Sequence, residues 1–125
     1  VACLLGVEEA GHIVRARQML GAGHHDLAVI EAYRAVEAAL RRAIVESGAS
    51  PTLSGPRQLI DQALKATLVA ADAKPNLEGL RVARNHAVHS TVLVQKEEAE
   101  RIVSVAADVL AKVRYPSLEN EDESQ

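Results

Sequence analysis

A chain of 125 residues that contains no Phe and no Trp must build its core from small aliphatic side chains. Tyr33 and Tyr115 are its only aromatics. Sheets favour aromatic and β-branched residues in alternation. Ala, Leu, Val and Ile at helical spacing instead let helices approach closely. No Asn-Gly-type hairpin dipeptide sits between alternating apolar residues here. The expectation is an all-α fold: one compact antiparallel bundle of about five helices over residues 1–115, followed by an acidic tail at 116–125.

The periodicity supports this. Val7, Ala10, Ile13, Val14 and Leu20 predict a first helix over 7–20, broken by Gly21-Ala22-Gly23. His24-His25-Asp26 opens a second, in which Leu27, Ile30, Tyr33, Val36, Leu40 and Ile44 recur at three- or four-residue steps and Gly48 is the stop. Asp26 is placed to cap it or to favour the positive helix end. A third helix starts near Pro56 and buries Leu59, Ile60, Ala63, Leu64 and Leu68. Asp72 to Pro75 reads as a break. A fourth helix then runs from about Asn76 to Ser90, and Thr91-Val92-Leu93-Val94 reads as a short apolar link able to adopt an extended conformation. The fifth is expected over Lys96–Arg114, with Glu97, Glu98 and Glu100 at its start and Lys112 and Arg114 at its end, as the helix dipole favours. Its stripe is Ala99, Ile102, Val103, Ala106, Val109, Leu110 and Val113. The tail beyond Pro116, with Glu119, Glu121, Asp122 and Glu123, is expected to be disordered.

Composition narrows the function. The net charge of −3 and pI near 5.9 advertise no general grip on nucleic acid, so any such contact needs a local basic patch. The single cysteine, Cys3, has no partner for a disulfide and no activating neighbour, which points to a reducing, cytoplasmic setting. No apolar run approaches the roughly 18 residues of a membrane span, so no membrane partner is expected. The chain begins at Val1 rather than Met, and we expect it to be a piece of a longer protein.

Chemistry concentrates in Arg81-Val82-Ala83-Arg84-Asn85-His86-Ala87-Val88-His89. On a helical wheel at about 100° per residue, Arg84 falls within the apolar face formed by Leu77, Leu80, Ala83, Ala87 and Val88. A buried guanidinium is costly without partners, so that face must pair it or meet a cleft. Arg81 sits at the edge of the face. Val82, Asn85, His86 and His89 lie on the other side, and the wheel does not choose between the histidines. A histidine moves protons near neutral pH, and an arginine stabilises charge growing on a phosphate. RNA brings its own nucleophile, the 2′-hydroxyl, so RNA cleavage here requires no metal and no cofactor. Arg84 and His89 are about 140° apart on an ideal helix, so two copies facing each other would assemble the pair better than one.

Arg84-Asn85-His86-Ala87-Val88-His89 resembles the Arg-polar-x-x-x-His signature of the HEPN superfamily, the higher eukaryote and prokaryote nucleotide-binding domain. The Ala-rich segment Ala32–Leu40 and the acidic opening Lys96-Glu97-Glu98-Ala99 of the last helix are similar to that family's too. The likeness spans most of residues 7–114. It implies an α-helical bundle, a homodimer with paired motifs in a cleft and, in active members, a metal-independent endoribonuclease of the toxin or defence kind, with an antitoxin or fused domain as partner. Other members have lost activity and bind nucleotides or proteins. The family spacing selects His89 over His86. Arg84, Asn85 and His89 become the candidate catalytic residues, with Arg81 and Glu37 as candidate substrate contacts. Members silenced by a nucleotidyltransferase carry Tyr two residues after the motif His. This chain has Thr91 there, so the resemblance implies no such modification.

The remaining polar residues each admit two readings. Glu37 lies beside the stripe of the second helix, within reach of a pairing with Arg84 or of solvent. His24-His25 and His86/His89 lack a third metal ligand at useful spacing. Arg34, Arg41 and Arg42 read either as phosphate contacts or as one charged helix face. A purely structural oligomerisation bundle is the remaining alternative, and the polar strip at a core-like position speaks against it.

Overall fold

A computed structural model describes residues 7–116. Cys3, the side chain of Val7 and the acidic residues from Glu119 onward lie outside the described part. Five α-helices follow in order: α1 (Val7–Gly21), α2 (His25–Glu46), α3 (Pro56–Lys65), α4 (Lys74–His89) and α5 (Lys96–Leu110). A short 3-10 turn, Ala71–Ala73, leads directly into α4. No strand occurs among the described residues.

The 22-residue α2 is the axis of the bundle, and α1, α3, α4 and α5 all pack against it. Its alanines make this possible. Ala28, Ala32, Ala35, Ala39 and Ala43 are fully buried and fall in one stripe about 80° wide along the helix. Residues of that size let neighbouring helices close in, and they combine with the best intrinsic helix propensity. Val29, Val36, Leu40 and Ile44 lie along one flank of that stripe and widen the buried face.

The turns follow from backbone chemistry. Gly48 takes φ +92° after α2, with Ala49 N–H reaching Ile44 O and Gly48 N–H reaching Val45 O. That pair of bonds is a Schellman closure, which needs a left-handed residue. Gly23 closes α1 in the same way. At the end of α3 the left-handed position falls to Thr67, at φ +55°, where a β-branched residue is strained.

Several sequence expectations shift. In α1 the buried positions are Glu9, Ile13 and Ala16, while Val14 is half-exposed. The helix presents a phase set by its contact with α2, and that phase carries Glu9 inward. Leu27 is likewise exposed, because it lies about 100° round α2 from the fully buried Ala28 and falls off the buried face. The segment at 72–75 does not interrupt the chain: Pro75 occupies the first turn of α4, where its missing N–H costs nothing. Residues 91 and 92 form a bend, and no strand is formed at 93–94.

The end of α5 moves furthest. It stops at Leu110, four residues before the expected Arg114, and its last turn carries no basic residue. The chain then turns so that Val113 and Tyr115 are both buried. Arg114 N–H bonds Leu68 O at 2.7 Å, and the Arg42 guanidinium lies 4.5 Å from the centroid of the Tyr115 ring. Burying an aromatic and gaining a cation–π contact outweigh another turn of helix. Lys112 and Arg114 therefore do not complement the dipole of α5.

Candidate functional site

The first half of α4 holds the chain to the core through Leu77 and Leu80, both fully buried. One and two turns later come Arg84, Ala87 and Val88. Ala87 is buried, Val88 is 43% exposed, and Arg84 is half-buried on the inward side. The sequence wheel therefore places Arg84 correctly and Val88 too deep. Arg84 Nη1 donates to Asn85 Oδ1 at 3.3 Å. This single bond occupies one of five guanidinium donors.

Facing this part of α4 is Tyr33 of α2, which is 4% exposed. Burial pushes its phenol up to about 12; Glu37 adds to the rise, while Arg84 and Arg81 oppose it. Tyr33, Glu37, Arg84, Arg81 and Glu78 thus form one electrostatic neighbourhood across the α2–α4 interface. Glu37 does not pair with Arg84. Its ion pair is with Arg41, one turn along α2, at 4.0 Å. Arg81 is held by Glu78, which accepts from Nε at 3.2 Å and from Nη2 at 3.0 Å. Tyr33 was legible in the sequence only as a core residue, and its place beside the arginines depends on how α2 and α4 cross.

The outward face of α4 is different. His86 and His89 are exposed, and Val82 is 56% exposed. These three fall within about 60° of one another on an ideal helix. Beside them a groove of about 670 Å³ runs between α4, the 92–95 link and α5. Val82, Ala83, His86, Val92, Leu93 and Ile102 give it an apolar lining, with Glu98 and Arg101 at its rim. Val92 and Leu93 are 64% and 73% exposed. His86 lines this groove, whereas Arg84, Asn85 and His89 do not. The link is held at its far end by Asp26, whose Oδ1 accepts the Val94 N–H at 2.8 Å. Asp26 thus serves as a tertiary anchor besides lying in the first turn of α2.

The described residues hold Arg84 and Asn85 together, with His89 exposed further along the same helix. The matching family model is that of the HEPN domain, over residues 12–123. The chain belongs to the HEPN family. No curated protein and no solved structure matches it. In this HEPN domain no helix is long and apolar enough to cross a membrane among the described residues, and no three His, Cys, Asp or Glu side chains there are grouped to hold a metal ion.

Two polar clusters escaped the sequence reading. Glu31 is 6% exposed and gathers His12, Arg15 and Arg34. Glu9, 2% exposed, lies 3.9 Å from Arg42, which also faces Glu46 at 3.4 Å. The available signal was phase: Glu9 and Glu31 fall in step with Ile13, Ala16, Ala28 and Ala35, on the buried faces of their helices.

Proposed function

We propose that this HEPN domain is a metal-independent endoribonuclease that works as a homodimer. His89 moves the proton of the RNA 2′-hydroxyl or of the leaving oxygen. Arg84 stabilises the charge that develops on the phosphate, and Asn85 positions Arg84 through the bond between them. The 2′-oxygen attacks the adjacent phosphorus, the P–O5′ bond breaks, and the 5′-oxygen takes a proton. The products are a 2′,3′-cyclic phosphate and a 5′-hydroxyl.

The observation that carries this reading is the division of labour on α4. An arginine is held half-buried by one neighbour, with donors to spare, and an exposed histidine follows five residues later on the same helix. The second copy enters because one helix does not bring both groups to one phosphate. The exposed apolar surface at Val82, Val92 and Leu93, on the His86/His89 side of α4, is surface that a second copy would cover. In this reading the setting is a toxin or defence effector, with an antitoxin or fused domain as further partner.

RNA cleavage by Arg84→Ala and His89→Ala, each folded as wild type, tests the assignment. Loss of cleavage in both is expected, and a wild-type rate in either overturns the role of that residue.

A second reading has its own support. The groove of about 670 Å³ has the size and apolar lining of a small-ligand pocket, and the domain is acidic. A nucleotide- or protein-binding module without catalysis fits these facts. Thermal stabilisation by nucleotides with no RNA cleavage is the result that would favour it.

A further inference from the structure

The buried Glu31 organises a cationic concavity that the proposed active site does not use. Its Oε2 lies 2.8 Å from His12 Nδ1 and 3.3 Å from Arg15 Nε, and its Oε1 accepts from Arg34 Nη1 at 2.7 Å. A carboxylate only accepts, so His12 carries its proton on Nδ1. The 2.9 Å approach of Arg15 Nη2 to that nitrogen is then a close contact, not a second bond.

Burial alone would raise the Glu31 carboxyl, but the hydrogen bonds from His12, Arg34 and Arg15 overcome it and hold the group below its ordinary range. Glu31 therefore stays charged and fixes one edge of the Arg15 and Arg34 forks, while Arg41 lies 4.0 Å from Glu37. The rest of each fork remains available: the Arg15, Arg34 and Arg41 side chains are 51%, 59% and 39% exposed. A merely solvated face pairs its charges with exposed partners and holds them loosely. Here a buried acid pre-positions His12 and Arg34, with Arg41 one pair further along α2.

His12, Arg34, Glu37, Ala38 and Arg41 line a concavity of about 380 Å³ at this point. Glu37 belongs both to this lining and to the neighbourhood of Tyr33 and Arg84, so the two places adjoin on the surface. The lining has no aromatic side chain on which a base could stack, whereas arginine forks match phosphate.

We infer that this concavity is a second phosphate subsite, which holds the RNA backbone at a nucleotide beyond the one presented to Arg84 and His89. The inference rests on the RNA reading of the α4 motif. The subsite binds backbone irrespective of sequence and supplies the local positive charge that an acidic domain otherwise lacks.

The test is binding of fluorescein-labelled single-stranded RNA, oligouridine and oligoadenine of about 12 nucleotides, by the full chain carrying His89→Ala to prevent cleavage. Arg34→Gln/Arg41→Gln, which leaves Glu31 a hydrogen-bond donor, is added to that background. Arg57→Ala/Lys65→Ala on α3 removes the same charge elsewhere. The expected result is roughly tenfold weaker binding of both RNAs by the Gln pair, with the salt slope shallower by about 1.4 for two lost contacts. The α3 pair changes binding by less than about twofold. Equal losses in the two pairs, or no loss in the Gln pair, overturn the subsite. If Arg84- and His89-dependent cleavage persists in that case, the ribonuclease reading stands without it. If the chain binds RNA through the Gln-pair positions but cuts none, the subsite stands and the nuclease reading falls. If the chain neither binds nor cuts RNA, both fall.

Discussion

Arg84 and Asn85, adjacent on α4, are joined side chain to side chain by a hydrogen bond of 3.3 Å. That is a long bond for a guanidinium, weak enough to be exchanged for a phosphate oxygen when substrate arrives. It orients the arginine without satisfying it. Asn85→Ala is therefore expected to lower RNA cleavage by about tenfold, and Arg84→Ala by about 100-fold or more, the scale for loss of a charge-stabilising donor. Single-turnover cleavage rates of the two variants check this order. A larger loss in Asn85→Ala than in Arg84→Ala would contradict it.

If two copies complete one site, the state of assembly and the rate are linked. Val82→Glu places a charge on the exposed apolar surface of α4. It should shift the protein to monomer and reduce cleavage by at least about tenfold, with the fold intact. Sedimentation velocity and circular dichroism on the same samples measure both. A monomeric variant that cleaves at the wild-type rate would remove the second copy from the account.

At the other end of the bundle, the hydroxyl of Tyr115 is buried without a hydrogen-bond partner while its ring carries the contact with Arg42. Tyr115→Ala is expected to cost about 3–5 kcal/mol, as for other large core aromatics. Tyr115→Phe keeps the ring and removes the unsatisfied group, so it should be neutral or stabilising, by up to about 1 kcal/mol. Urea denaturation of the pair decides the matter.

Both tyrosines also set an alkaline limit. Burial pushes Tyr33 and Tyr115 up to about 12, from an ordinary 10. The folded state holds these protons more tightly than the unfolded one, so their contribution is complete below pH 10 and is lost as pH rises from 10 to 12. Glu31 acts in the opposite direction. Its carboxyl lies below the ordinary 4.5, so its contribution is present above that value and is lost as pH falls through the folded pKa. Ultraviolet titration of phenolate should show no folded-state tyrosine ionising near pH 10. Glu31→Gln should flatten the acid limb of the stability profile.

Thr67 offers a test of the turn chemistry. Its φ of +55° is imposed by the closure of α3, where Thr67 N–H bonds Leu64 O and Leu68 N–H bonds Ala63 O. Thr67→Gly relieves the strain at the cost of a freer unfolded chain, and a net gain of about 0.5–1 kcal/mol is expected. A loss of stability on thermal denaturation would show that the Thr67 hydroxyl bond to Ala66 O matters more.

Helix order, Gly48 and Pro56 as boundaries and the inward lean of Arg84 were legible because periodicity and backbone chemistry are local. What the sequence concealed depends on pairing between helices. Val14 and Val88 look like core residues by spacing, yet the crossing of their helices with α2 leaves them exposed. Glu9 and Glu31 look like surface residues by type, yet the crossing of α1 with α2 buries them, Glu9 beside Arg42 and Glu31 beside His12 and Arg15 of the other helix. The early end of α5 follows from a distant partner, Arg42, which no local pattern announces. His86 appeared a bystander because the motif spacing favours His89. It lines the apolar groove, a role visible only once α5 and the 92–95 link are in place.

If His89 and Arg84 carry the reaction, the ends of the RNA fragments report it directly. Cleavage of a defined RNA in EDTA, comparing wild type with His89→Ala, is the measurement, with the fragment ends identified by mass spectrometry. Wild-type fragments are expected to end in 2′,3′-cyclic phosphate and 5′-hydroxyl, undiminished by EDTA and at least about 100-fold slower to appear with His89→Ala. Fragments ending in 5′-phosphate, or equal rates for the two proteins, would contradict that chemistry.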